Sequence, residues 1–303
     1  MISRPLIILG APRSGTTMIF QALSTHPALW SLYRESQNIL NKHFPTEMVP
    51  GKSVLVKGED VDDATASAID REFFDQVGNA ETSLTFLGRG VPIPLIARVR
   101  LSALLTKLGK DQKVPPIRMV EKTPDNCFRI QMLLKVFPDA QFVYVVRDPR
   151  GSIASIHKGW TEESRFQRFE LPPDFAIKDY TGSSWCFGLP PGWEELNGST
   201  VMEICAHQWR LYNEYCDRDL PKDASRVLQV RYEEMASDPG PVLRQVAKFA
   251  DLDPQPLERY GEKLPVVNTW SKPSSDKWKR VEEEIGGVLP LVAAEAERLG
   301  YTT

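Results

Sequence analysis

The chain has 303 residues with 37 Lys and Arg against 40 Asp and Glu, a formal net charge of −3, so it lacks the overall positive charge that draws a protein to nucleic acid or an anionic membrane. A length of this order suits one large α/β domain or two ordinary ones, and no apolar run approaches the roughly 18 residues needed to span a bilayer. The four cysteines, Cys127, Cys186, Cys205 and Cys216, form no C-x-x-C pair, which fits buried thiols in a reducing compartment.

The first apolar run, Leu6-Ile7-Ile8-Leu9, begins too early to leave room for a cleavable leader, and the chain is expected to be cytoplasmic. The run reads as a buried strand, followed by Gly10-Ala11-Pro12-Arg13-Ser14-Gly15-Thr16-Thr17 and then by Met18, Ile19, Ala22 and Leu23 at helical period. The spacing is that of a phosphate-binding loop, G-x-x-x-x-G, between a strand and a helix N-terminus. Backbone N–H groups and the helix dipole make such a turn an anion cradle. Thr16 stands where a lysine is expected, Thr17 keeps the hydroxyl, and the cation appears earlier, as Arg13.

The first helix is expected to stop at His26-Pro27, and Ala28 to Tyr33 reads as a second strand leading to Arg34-Glu35. Residues 41 to about 115 read as an insertion over the sheet, with an acidic patch from Glu59 to Asp63, a helix around 64–77 and a helical Pro92–Leu108 stretch. Ile117 to Val120 is a third strand running into Glu121-Lys122-Thr123-Pro124-Asp125. Asp125 is placed to cap the helix of Phe128, Met132, Leu133 and Val136. Gln141 to Val146 is continuously apolar, as a central parallel strand requires, and delivers Arg147-Asp148-Pro149-Arg150 to a helix from Gly151 to Lys158. Strand, loop and helix alternate, which predicts an α/β fold with a parallel sheet flanked by helices and ligands at the carboxyl ends of its strands.

Residues 160–200 hold Trp160, Phe166, Phe169, Phe175, Tyr180, Trp185, Phe187 and Trp193. They form either a lid or acceptor pocket, or a subdomain packing its own rings. A helix with His207, Trp209 and Leu211 follows, then a strand over Arg226–Tyr232. Next come a helix opened by Asp238-Pro239, a proline-punctuated linker over 254–273, and a final helix from Val281 to Leu299 that stops at Gly300. Residues 1–303 read as a single domain with helical and irregular insertions at about 41–115 and 160–200. Three strand ends, Arg13 to Thr17, Glu121 to Asp125 and Arg147 to Ser155, with Tyr232 near a fourth, should converge on one edge.

Pro12-Arg13-Ser14-Gly15-Thr16-Thr17, Val146-Arg147-Asp148-Pro149-Arg150 with Ser155, Val230-Arg231-Tyr232-Glu233-Glu234 and Lys277-Trp278-Lys279-Arg280 together resemble the sulfotransferases that use 3′-phosphoadenosine 5′-phosphosulfate (PAPS). The resemblance implies that Arg13, Ser14, Gly15, Thr16 and Thr17 hold the 5′-phosphosulfate, that Arg147 and Ser155 hold the 3′-phosphate, and that Tyr232 contacts adenine. It implies that Lys277 and Trp278, with Lys279 or Arg280, close over the nucleotide. Lys122 would reach the bridging oxygen or the sulfonate, and Arg13 would add positive charge there. Glu35 would be the base; the alternative for Glu35 is a surface pair with Arg34, and His157 is a substitute base, because Thr123 stands where other branches carry a histidine.

Glu121 either orients Lys122 or makes an ordinary ion pair. Asp148 and Arg150 either pair with each other or meet ligand, and His26, His43 and His207 read as packing residues. No metal is expected, because PAPS lacks the β- and γ-phosphates that a loop lysine and Mg²⁺ serve. The implied activity is sulfuryl transfer to a hydroxyl, less readily an amine, of a small-molecule or carbohydrate acceptor. The rival readings are an atypical kinase or NTPase with this loop and a non-catalytic nucleotide-binding protein.

Overall fold

A computed structural model describes residues 1–32, 35–79, 113–162, 164–264 and 277–303. The first half of the chain gives β1 (Leu6–Leu9), α1 (Thr16–Leu23), β2 (Trp30–Ser31), α2 (Gln37–His43), α3 (Asp63–Gln76), β3 (Gly78–Asn79), β4 (Met119–Lys122), α4 (Ile130–Val136) and β5 (Gln141–Val146). The second half gives α5 (Pro149–Glu162), β6 (Gln167–Glu170), β7 (Ser184–Cys186), α6 (Val201–Asp219), β8 (Val227–Arg231), α7 (Tyr232–Ser237), α8 (Pro239–Phe249), α9 (Glu282–Val288) and α10 (Ala293–Arg298). The main sheet runs β3-β2-β4-β1-β5-β8; five strands are parallel and β3 is an antiparallel edge. The expected α/β architecture is the observed one.

β1 and β5 are buried along their whole length, because helices cover both faces of a parallel sheet. Alternate residues divide the interior. Leu6, Ile8, Val143, Val145 and Val230 pack with Ile19, Met235 and Val246 of α1, α7 and α8. Ile7, Leu9, Phe142, Tyr144 and Val146 pack with Phe73, Leu133, Ile156 and Trp209 of α3 to α6. Each such large apolar side chain contributes about 1.5–3 kcal/mol on burial, so the sheet is fixed from both sides.

Several boundaries differ from expectation for local reasons. α1 ends at Leu23, before His26-Pro27, where the Ser24 and Thr25 hydroxyls donate to the carbonyls of Phe20 and Ala22. Asp125 does not cap a helix. It lies within a buried 3₁₀ turn, Pro124–Phe128, and α4 starts only at Ile130. β4 reaches Lys122, two residues beyond the expected strand, so Glu121 and Lys122 point to opposite faces.

The final helix is broken at Pro290, which cannot supply the N–H a continuous helix needs. α9 ends at Val288, a 3₁₀ turn covers Leu289–Leu291, and α10 ends before Gly300 at φ +77. The expected Pro92–Leu108 helix, Arg34 and much of the 254–273 linker lie outside the described residues.

Most aromatic residues of 160–193 pack on one another. Trp160 meets Trp185 at 5.2 Å and Tyr180 at 5.4 Å, and Phe175 meets Trp193 at 5.3 Å. All four cysteines are buried free thiols. Among the described residues no helix is long and apolar enough to cross a membrane.

Candidate active site

Strand register levels the ends of the sheet. Ile8 pairs with Lys122, Leu9 with Tyr144, and Val146 with Arg231, so residues just beyond these positions gather on one edge. A cavity of about 380 Å³ opens there, within the range of small-molecule sites.

The β1–α1 loop forms its floor. Arg13 has φ +68 and Gly15 φ +91, left-handed conformations that cost little only for glycine. A Cβ on Gly15 would lie 2.5 Å from Tyr232 Cδ2, and one on Gly10 2.6 Å from the Val145 carbonyl oxygen. The loop is therefore clamped between β5 and the Tyr232 ring. Gly15, Thr16 and Thr17 line the cavity, and the first N–H groups of α1 lack intrahelical acceptors, as at any helix start. Ser14 is different: its side chain is buried and lies 3.4 Å from Ser152 Oγ, away from the cavity.

Arg147 is the first residue after β5. It donates to the Arg13 carbonyl oxygen at 2.7 Å and lies 4.1 Å over the Tyr232 ring. Burial pulls its pKa below the ordinary value, yet a guanidinium stays charged in proteins. Arg13 Nε donates to Ser155 Oγ at 3.2 Å, and its guanidinium faces Phe166 at 5.1 Å. Arg13, Arg147, Ser155 and Tyr232 thus form one cluster built from four segments.

Lys122 and Glu35 meet on the other side. The Lys122 ammonium pairs directly with Glu35 Oε1, and Gln37 Nε2 donates to Glu35 Oε2 at 3.0 Å. Lys122 is 8% exposed and Glu35 35%, so the pair sits at the boundary between wall and cavity. Glu121 does not orient Lys122. It points to the opposite face of β4, where it accepts from Thr123 Oγ1 and, at 2.7 Å, from Asn126 Nδ2. Ser36 N–H donates to Thr123 Oγ1 at 2.8 Å, so the residues following Glu35 and Lys122 are tied together beneath them. Burial pushes the Glu121 carboxyl above its ordinary pKa.

The sequence reading missed the opposite wall. Arg168 NH1 donates to Asp125 Oδ2 at 2.6 Å, and the Tyr212 hydroxyl donates to Asp125 Oδ1 at 2.9 Å. Asp125 is 1% exposed. Burial alone would raise its pKa, but Arg168 and Arg129 outweigh burial and hold it below the ordinary value. Gly188 leaves the space for this contact, since a Cβ there would lie 2.3 Å from Asp125 Oδ1 and from the Tyr212 hydroxyl. Phe166 and Phe187, stacked at 4.7 Å, also face the cavity. The sequence signals for this wall are the strand end that carries Asp125 and the aromatic density of 160–193; Arg168 and Tyr212 carry none.

Other candidates lie elsewhere. Trp278 packs under the Arg150 guanidinium at 5.1 Å and is absent from the described lining, as are Lys279, Arg280 and His157; the Lys277 side chain is outside the described residues. Burial lowers the His157 pKa. Asp148 and Arg150 pair with each other through two side-chain contacts of 3.0 and 2.5 Å. His26 contacts the Asp253 carbonyl oxygen and accepts from Ala28 N–H, His43 pairs with Glu72, and burial with nearby Arg210 lowers His207 to about 4.

Among the described lining residues, Arg13, Lys122, Arg147, Arg165 and Arg168 face two carboxylates, Glu35 and Asp125. Both carboxylates already hold a cation. The donor set suits a ligand with more than one anionic group. Among the described residues no cluster of three or more His, Cys, Asp or Glu is gathered to hold a metal ion.

Comparison with known proteins bears on the fold and the family. A solved sulfotransferase domain from the curacin biosynthetic pathway shares the fold at a TM-score of 0.51 and 18% identity, over 99% of this chain and 98% of that one. An uncharacterized protein of Aquifex aeolicus is 22% identical over 308 residues, covering 98% of this chain and 33% of the relative. The omega-hydroxy-beta-dihydromenaquinone-9 sulfotransferase Stf3 of Mycobacterium tuberculosis is 28% identical over 137 residues, 44% of this chain and 29% of that protein. The chain therefore spans about a third of the length of these curated relatives. The Sulfotransferase family model matches residues 5–179, more than half of the sequence, and the chain belongs to that family.

Proposed function

We propose that this chain, acting as a single domain, transfers a sulfuryl group from PAPS to a hydroxyl, less readily an amine, of a small-molecule or carbohydrate acceptor. The observation that carries the proposal is the meeting, in one cavity, of a lysine-free anion loop, a second cation site at Arg147, and the Lys122–Glu35 pair. When bound, the donor would supply the sulfuryl group, with adenosine 3′,5′-bisphosphate as the leaving group once the bond from sulfur to its 5′-phosphate oxygen breaks. The N–H groups at the start of α1, with Arg13 and Thr17, hold the 5′ end; Arg147 and Ser155 hold the 3′-phosphate; the Tyr232 ring flanks the base. Ser14 supports the loop from beneath, its N–H donating to the Ala11 carbonyl oxygen at 3.2 Å and its hydroxyl lying beside Ser152. Lys122 Nζ donates to the departing oxygen, and Glu35 accepts the proton of the attacking hydroxyl. Fixed cations and positioning carry such a reaction.

The 277–281 turn packs on α5 beside the Arg147 turn, which supports Lys277 and Trp278 as the side that closes over the nucleotide. Four free thiols fit a reducing compartment, and the proposal places the protein in the cytoplasm. Thr16 in place of the loop lysine argues against a triphosphate-using kinase or NTPase, and the Lys122–Glu35 pair argues against a purely binding role.

Thermal unfolding without metal tests the donor assignment. Adenosine 3′,5′-bisphosphate at about 100 times its Kd should stabilise the protein by about 2.7 kcal/mol. Stabilisation by ATP and none by the bisphosphate would overturn it.

A further inference from the structure

A chain of contacts reaches Arg147 from outside the cavity. Asp148, the next residue, donates its backbone N–H to Glu233 Oε1 at 3.0 Å, and Glu233 Oε2 accepts the Tyr301 hydroxyl at 2.9 Å. The Asp148 carboxylate is already engaged by Arg150, so Glu233 grips the backbone of the turn. Tyr301 is itself pinned. Its ring lies 4.6 Å from the Arg231 guanidinium, and Arg231 NH2 donates to the carbonyl oxygens of Leu299 at 3.0 Å and Gly300 at 3.2 Å.

Gly300, at φ +77, is required for this approach, because a Cβ there would lie 2.5 Å from Arg231 NH2. Burial first, and then the Glu233 charge, raise the Tyr301 phenol above its ordinary pKa, so it remains a donor. Glu233 adjoins Tyr232 in α7, and the strap therefore bears on both partners of the contact between Arg147 and the Tyr232 ring.

We infer that Tyr301, acting through Glu233, is a positioning residue for Arg147, and that it sets how strongly the site discriminates nucleotides with a 3′-phosphate from those without one. The inference rests on the reading of Arg147 as the 3′-phosphate contact. Tyr301 is not among the described residues lining the cavity, so its removal reaches a ligand only through the placement of Arg147 and the Tyr232 ring. A hydrogen bond to a carboxylate is among the stronger kinds, and its loss frees the turn that presents the guanidinium.

Calorimetric titration of the full chain with adenosine 3′,5′-bisphosphate and with adenosine 5′-monophosphate tests it, in wild type, Tyr301→Phe, Glu233→Ala and the double variant. Wild type should prefer the bisphosphate. Tyr301→Phe should weaken the bisphosphate about 5- to 10-fold and the monophosphate less than about 2-fold. The double variant should lose no more preference than Glu233→Ala alone, as a shared route requires. A wild type that prefers the bisphosphate, with Tyr301→Phe keeping the full preference or losing both nucleotides equally, overturns the inference and leaves the reading of Arg147 standing. A wild type with no preference removes the Arg147 reading and the inference with it.

Discussion

Glu35 and Lys122 come from the ends of neighbouring strands, and each holds the other at the mouth of the cavity. The contact gives Glu35 a fixed direction before any acceptor arrives, and a positioned carboxylate is what proton removal from a hydroxyl requires. In the proposed role, Glu35→Gln should lower turnover at least about 10²-fold while bisphosphate affinity changes little, read by product release and calorimetry on the same preparations. Wild-type turnover in this variant would remove Glu35 as the base. Glu121 offers the contrast: it is one residue from Lys122 in sequence yet on the other side of the sheet, committed to Thr123 and Asn126. Adjacent charges in a strand therefore do separate work.

The β1–α1 loop shows at the level of an element how tightly the cavity floor is made. Gly15 carries a left-handed φ and abuts the Tyr232 ring, so Gly15→Ala combines backbone strain with overpacking. It should cost about 2–4 kcal/mol, read as a lowered urea midpoint at unchanged slope, with weaker bisphosphate binding. The loop was legible in the sequence because its spacing, its glycines and its flanking apolar runs are all local. The same holds for β5 and for the strand that delivers Tyr232. Asp125 was misread for the converse reason: a polar residue ahead of an apolar helix looks like a cap, whereas its partners Arg168 and Tyr212 lie 43 and 87 positions away. Short-range pattern carries no trace of such contacts. The break at Pro290 was readable but was outweighed by the helical period around it.

At the scale of the molecule, Asp125 joins the β6–β7 hairpin to the frame of the sheet. Its carboxyl lies below the ordinary pKa because Arg168 and Arg129 overcome the effect of burial. A lowered folded-state pKa contributes stability that is fully present above the unfolded value and is lost as pH falls through the folded one. Unfolding free energy should therefore decline below about pH 4, and Asp125→Asn should flatten that decline. Because it removes the carboxylate paired with Arg168 and the negative charge that acts on buried Arg129, the same variant should cost about 3–5 kcal/mol near neutrality, measured by urea denaturation across a pH series.

Among the described residues the β6–β7 hairpin pairs only with itself and adds no strand to the main sheet. One half of the cavity is thus rooted in strand register, where an insertion would displace every neighbouring strand end. The other half stands on a separate two-stranded sheet, joined to the frame at Asp125, at Gln208, which donates to the Cys186 carbonyl oxygen, and through the core that Trp185 and Phe187 share with β1 and β5. Phe187 belongs to that part of the wall, whereas Phe166 also meets the Arg13 guanidinium at 5.1 Å and so touches the loop. A substitution in β7 should therefore change the shape of the cavity while leaving the paired strand ends at Ile8, Lys122 and Val146 in register.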